Sequence, residues 1–159
     1  MRKPMHLLRS STLRGFSIVE AMVALLVLSV GMLGIAGLYV TTLRASGSAL
    51  LRTHAVNLAA DMADRIRANP TAGNAYAGAA ADNSCAGGGV DCSPVQLAAD
   101  DLFTWLNQIA TVLPDDGDAN TLQGTIAVAG ANPRTYTITV SWVEPTEPQP
   151  LSYVLRMQI

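Results

Sequence analysis

Arg14-Gly15-Phe16-Ser17-Ile18-Val19-Glu20 opens onto twenty consecutive uncharged residues, Ala21 to Val40. As a helix rising about 1.5 Å per residue, twenty such residues are enough to cross a bilayer. The fold hangs on the order of these parts: a short basic stretch, a small residue, one acid, then the apolar run.

Upstream, Met1 to Gly15 carries Arg2, Lys3, Arg9 and Arg14 and no acid. A secretory signal places its apolar stretch before a small-residue cleavage site, whereas here Gly15 precedes the apolar stretch. No Cys follows Gly15, which excludes a lipoprotein signal. Cutting after Gly15 would remove the basic leader and keep the hydrophobic segment. The positive-inside rule puts the leader in the cytoplasm and the chain beyond Val40 on the far side of the membrane. A plain signal anchor is the simplest reading of hydropathy alone. Glu20 is not explained by that reading, because an ionisable residue in or at the edge of a membrane helix is expensive and marks function. After cleavage, Phe16 would carry an α-amino group four residues upstream. In a stacked assembly this cation on one subunit would face Glu20 of its neighbour, and pairing would offset the desolvation each charge suffers alone. A Glu favoured by the helix dipole accounts for Glu20 in isolation, but not for the Gly15-Phe16 junction beside it.

The combination resembles the type III signal of type IV prepilins and type II secretion pseudopilins. The resemblance implies cleavage after Gly15 by a membrane prepilin peptidase, methylation of the new N-terminal Phe16, and an inter-subunit role in assembly for Glu20.

Downstream, Thr41 to Asn69 contains no proline and keeps a helical period. Leu43, Leu50, Leu51, Leu58, Met62 and Ile66 are the expected apolar stripe. Asp61 and Arg65 have the spacing of an i,i+4 pair, and Asn69-Pro70 is a natural stop. One helix from about Phe16 to Asn69 is expected, about 80 Å long at that rise. Gly31, Gly34 and Gly37 admit two readings: close packing through small residues, or a stretch that unwinds during assembly. The run from Asn57 to Asn69 is similar to the close of the long helix in PilV-type minor pilins, the type IV pilus modification proteins.

The remaining residues read as a small head. Ala72 to Asp91 is a Gly-, Ala-, Asn- and Asp-rich loop with Cys85 and Cys92 at its end. Their spacing is not a CxxC redox or zinc pattern. On the periplasmic side they are expected to form a disulfide, contributing about 2–3 kcal/mol in the chain-entropy model; two unpaired thiols are the alternative. Ser93-Pro94-Val95-Gln96 combines a cap, a first-turn proline and a capping box. It starts a helix expected to reach Val112, with Ala98, Leu102, Trp105, Leu106 and Ile109 buried. The Cys pair leading into this helix also resembles the PilV group. Asp115-Asp116-Gly117-Asp118-Ala119-Asn120 lacks the glycine and terminal Glu of an EF-hand and reads as a solvated turn. Three strands follow, around Thr125–Val128, Tyr136–Trp142 and Tyr153–Gln158, alternating with period two. Short connections favour an antiparallel meander.

The predicted fold is therefore α+β and pilin-like: a long N-terminal helix, transmembrane then amphipathic, packed on a small antiparallel sheet with a second short helix. Its parts are a leader (1–15), a membrane or filament-core half-helix (16–40), an amphipathic half-helix (41–69) and a head (70–159).

Composition excludes several functions. Of 159 residues, half are hydrophobic and 14% charged, and the mean hydropathy is +0.29. Four of the ten basic residues, and none of the twelve acids, lie before Phe16, so the rest carries a net charge of −6. A mildly acidic body offers no cluster of Lys and Arg for nucleic acid. His6 and His54 are far apart, and no Ser-His-Asp set, P-loop or metal motif occurs. No cofactor is expected. The resemblance implies a structural minor pilin whose partners are other minor pilins, the major pilin and an inner-membrane assembly platform. It implies a single-pass inner-membrane location, head in the periplasm, before entry into the pilus. A minor pseudopilin of type II secretion is the nearest alternative, and a membrane-anchored periplasmic enzyme a remote one.

Overall fold

The computed structural model describes residues 15–85, 90–115, 117, 123–144 and 147–159. The leader up to Arg14 and most of the Asp115–Asn120 segment lie outside the described residues. The architecture is α+β and pilin-like: a long N-terminal helix, a second helix and a three-stranded antiparallel sheet.

Helix α1 spans Ile18–Ala68, 51 residues. The chain divides into two compact units, Met1–Arg44 and Ala45–Ile159. In the first, every described residue is exposed, and the helix is long and apolar enough to cross a membrane. Gly31, Gly34 and Gly37 are all helical within it.

The second unit has its own core. From α1 it takes Ala55, Ala59, Met62, Ala63 and Ile66. The expected stripe holds at Met62 and Ile66, both fully buried, and is corrected elsewhere: Leu43 and Leu50 are 69% and 56% exposed, Leu51 and Leu58 are half-buried, and the other buried positions of α1 are Ala55, Ala59 and Ala63. His54 is half-buried.

The helix stops at Ala68 because Pro70 disfavours helical backbone at Asn69. Pro70–Ala77 then forms a 3-10 helix, interrupted by Gly73 at φ 57, which departs from the loop expected from Ala72 onward. Helix α2 spans Pro94–Val112. Its start follows the local code. The Ser93 hydroxyl accepts from the Gln96 N–H at 3.3 Å, and the Gln96 side chain accepts from the Ser93 N–H at 2.9 Å. Ala98, Leu102, Trp105 and Ile109 are buried, and Leu106 is half-buried.

Strands β1 (Gly124–Ala129), β2 (Thr135–Trp142) and β3 (Leu151–Gln158) form the meander in the order β1-β2-β3. Gly130, at φ 76, ends β1 in a conformation open to glycine. In the central strand, Tyr136, Ile138, Val140 and Trp142 face the core, and Thr135, Thr137, Thr139 and Ser141 face away. The first β1 residue lies close against α2. A Cβ at Gly124 would lie 2.7 Å from both Ile109 Cδ1 and Trp105 Cζ3.

Candidate functional site

Gly15, Phe16 and Ser17 precede the first turn of α1. Helical bonding starts with the Ala21 N–H donating to the Ser17 carbonyl at 3.1 Å, which makes Ser17 the residue at the helix boundary. Phe16 is 75% exposed, and among the described residues nothing beyond its chain neighbours lies within 4 Å of where a Gly15 side chain would begin. Glu20 falls in the first turn, where the orphan N–H groups and the dipole favour an acid. No Lys or Arg occurs from Gly15 to Leu43, so Glu20 has no cation within its own apolar segment.

In the head, Cys85 and Cys92 are joined in a disulfide, with Cα atoms 5.9 Å apart. The loop around them is tied to α2 by the Asn83 N–H donating to Asp100 Oδ1 at 2.7 Å and by Asn83 Nδ2 donating to the Gln96 carbonyl at 3.0 Å. Asp100 is thereby a buried acid with a backbone donor, which is how a carboxylate tolerates burial.

A second polar set locks α1, the 3-10 helix and α2 together. Arg65 Nε donates to Asp61 at 2.9 Å along α1, and Arg65 Nη1 reaches Asp101 of α2 at 3.2 Å. The Tyr76 hydroxyl lies 2.9 Å from Asp101 Oδ2 and 3.2 Å from the Arg65 carbonyl. With one proton to donate, it favours the nearer, charged oxygen. Burial, then the hydrogen bond and charge of Asp101, push the Tyr76 phenol well above its ordinary value of 10.0. The folded state thus holds the proton more tightly than the unfolded chain. The stability this represents is whole below pH 10 and is lost as pH rises beyond it. Tyr76→Phe is expected to cost about 1.5–3 kcal/mol, the range for a hydrogen bond to a charged group. It should also flatten the alkaline limb of stability, read from urea melts at neutral pH and above pH 10; an unchanged midpoint would dissociate Tyr76 from head stability.

Glu144 is also buried, 4% exposed. Its carboxylate accepts from Trp142 Nε1 at 3.0 Å. That bond first, then one from Ser48 of α1, with a smaller contribution from Arg52, hold the carboxyl below its ordinary value of 4.5 against the opposing effect of burial. Here the sign reverses: the contribution is present above pH 4.5 and lost as pH falls through the lower folded value. Glu144→Gln is therefore expected to differ from the parent most at neutral pH, the gap closing in acid. Urea melts at neutral and acid pH check this, and a gap that is constant with pH would contradict it.

Only Cys85 and Cys92, of the residues expected to act, are brought together within the chain. Gly15, Phe16 and Glu20 stand at the exposed start of α1. Sequence reasoning missed Tyr76, Asp101 and Glu144. Nothing local marks Tyr76 as the partner of Asp101, which lies 25 residues further on. Among the described residues, no group of three or more His, Cys, Asp or Glu is placed to hold a metal ion.

An exposed apolar helix leading to an α+β head defines the pilin-like class of structure. Residues 37–103 match the family model described as Tt1218-like, Type IV pilin Tt1218, a match that supports a type IV pilin. Its span covers the second half of α1, the disulfide-bearing loop and the first half of α2. No curated protein and no solved structure matched the chain. Type IV pilins form a structural, non-catalytic group whose subunits assemble with one another into a pilus.

Proposed function

We propose that the chain is a PilV-type minor pilin that takes part in initiating and building a type IV pilus. The observation that carries this reading is the first unit: an apolar helix whose every described residue is exposed. Such a surface is stable only in a bilayer or among other apolar helices. In this reading the prepilin peptidase cuts after Gly15 and Phe16 is methylated. The helix holds the subunit in the inner membrane with its head in the periplasm, and the assembly platform then moves it into the filament. There Glu20 pairs with the α-amino group of a neighbouring minor or major pilin. The Cys85–Cys92 bridge holds the head loop against α2.

A disruption strain tests the machine. Loss of pili and twitching with type II secretion intact is the expected outcome; lost secretion with normal pili would transfer the chain to the secretion machine. Processing is tested by mass analysis of the chain from membranes, which should begin at methylated Phe16.

A further inference from the structure

Strand β3 is the end of the sheet and is hydrogen-bonded to β2 alone. Just beyond the ladder, the Arg134 N–H donates to the Ile159 carbonyl at 2.8 Å, and the Ile159 N–H donates back at 3.0 Å. Bonded and non-bonded pairs alternate along an antiparallel ladder. From that anchor, the register pairing Thr135 with Gln158 through Trp142 with Leu151 fixes which way each peptide group points. Leu151, Tyr153, Leu155 and Met157 bond inward to β2. The N–H and C=O groups of Ser152, Val154, Arg156 and Gln158 are turned to the open edge, where no other strand pairs with them among the described residues.

The inner side of this edge is not closed. Arg52 and Val56 of α1, with Trp142, Leu151 and Tyr153 of the sheet, border a groove of about 400 Å³. The opposite edge differs, because β1 looks across its own groove at Ala77–Ala80 of the same chain. Among the described residues, an incoming strand therefore meets no obstructing segment of this kind at β3.

Charge selects the occupant. The unit Ala45–Ile159 carries eleven acids and five arginines. Of those arginines, Arg65 and Arg67 are committed to Asp61, Asp101 and Asp64. Arg156 stands exposed on β3 with no ion pair among the described residues, and Arg52, which faces Glu144, lies in the groove. Arg156, an exposed cation on the open edge, favours an acidic partner strand. It also discourages pairing with a second β3 in any register that sets two Arg156 side chains opposite each other.

We propose that the open edge of β3 receives an extended acidic segment of another polypeptide as an antiparallel fourth strand. Main-chain bonds to Val154 and Arg156 hold the segment. A carboxylate opposite Arg156 lies on the outer face, and apolar residues opposite Tyr153 and Leu155 enter the groove beside Val56. This property belongs to the head and holds whether the chain serves a pilus or a secretion machine.

The test uses the full chain in detergent micelles and two heptapeptides, one alternating glutamate with valine and one alternating lysine with valine. The glutamate peptide should bind by calorimetry and slow hydrogen exchange at the Val154 and Arg156 amides. Val154→Pro removes an edge-facing N–H that makes no bond to β2, a position where an edge strand accepts proline. It should weaken binding by about tenfold or more with an unchanged circular-dichroism melt. Arg156→Glu, a surface change that leaves the ladder intact, should transfer the preference to the lysine peptide. Failure of both peptides to bind, equal binding of both, protection at β1 instead of β3, or self-association through β3 as the only event would each overturn the proposal. None of these readouts depends on pilus assembly, so their failure is distinguishable from failure of the minor-pilin reading.

Discussion

Trp105→Ala is expected to destabilise the head by about 3–5 kcal/mol, the range for deleting a fully buried large aromatic side chain. Trp105 has no exposed surface, and its indole N–H donates 2.9 Å to the Leu58 carbonyl of α1. Its ring also abuts Gly124, so truncation opens a void where α2 meets β1, facing a residue with no side chain to move in. Folded domains have only about 5–15 kcal/mol to lose, and the melting midpoint should fall by more than about 10 °C. Trp105→Phe, which keeps the apolar ring but removes the donor, should fall less. A circular-dichroism melt of both variants decides the matter. A shift of only a degree or two for the alanine variant would show that α2 is not anchored through this residue.

Glu20→Ala should abolish incorporation into sheared pili while leaving cleavage after Gly15 intact. The apolar segment offers Glu20 no cation of its own, since none occurs between Gly15 and Leu43. In a water-poor environment an unpaired carboxylate is strongly disfavoured, and so is the α-amino group left behind when its partner is removed. The proposed pairing satisfies both, and the substitution strips one subunit's amino group of its partner. Glu20→Asp, which keeps the charge on a shorter arm, should retain part of the incorporation. Immunoblots of the sheared and membrane fractions, with mass analysis of the N-terminus, separate assembly from processing. Normal incorporation of the alanine variant would remove the proposed role.

Much of this fold was readable because its signals are local. Ser93, Pro94 and Gln96 specify the start of α2 within four residues, and alternation in β2 assigns each side chain to a face. The errors arose where information is non-local or carried by small side chains. Leu43 and Leu50 look like core by hydropathy, yet the helix buries Ala55, Ala59 and Ala63, whose apolar signal is weak. The Pro70–Ala77 helix is short, sits in a Gly- and Ala-rich composition that reads as loop, and is fixed by partners far along the chain. Tyr76 meets Asp101 across a separation of 25 residues, and Arg65 meets the same acid across 36. The apolar helix and the Gly15-Phe16-Glu20 spacing were legible at once. The open edge of β3 was not, because it depends on strand order and register.

The three buried alanines of α1 have a consequence for how the head assembles. Alanine has no side-chain rotamers to freeze, whereas leucine or methionine gives up conformational freedom when buried. A docking strip built of Ala55, Ala59 and Ala63 presents one shape before and after α2 and the sheet close over it. Part of the conformational cost of folding is thereby absent along that strip, and the larger residues Met62, Ile66 and Trp105 belong to the same core. The strip behaves as a template already in its final form, on which the more adaptable side chains of the head settle.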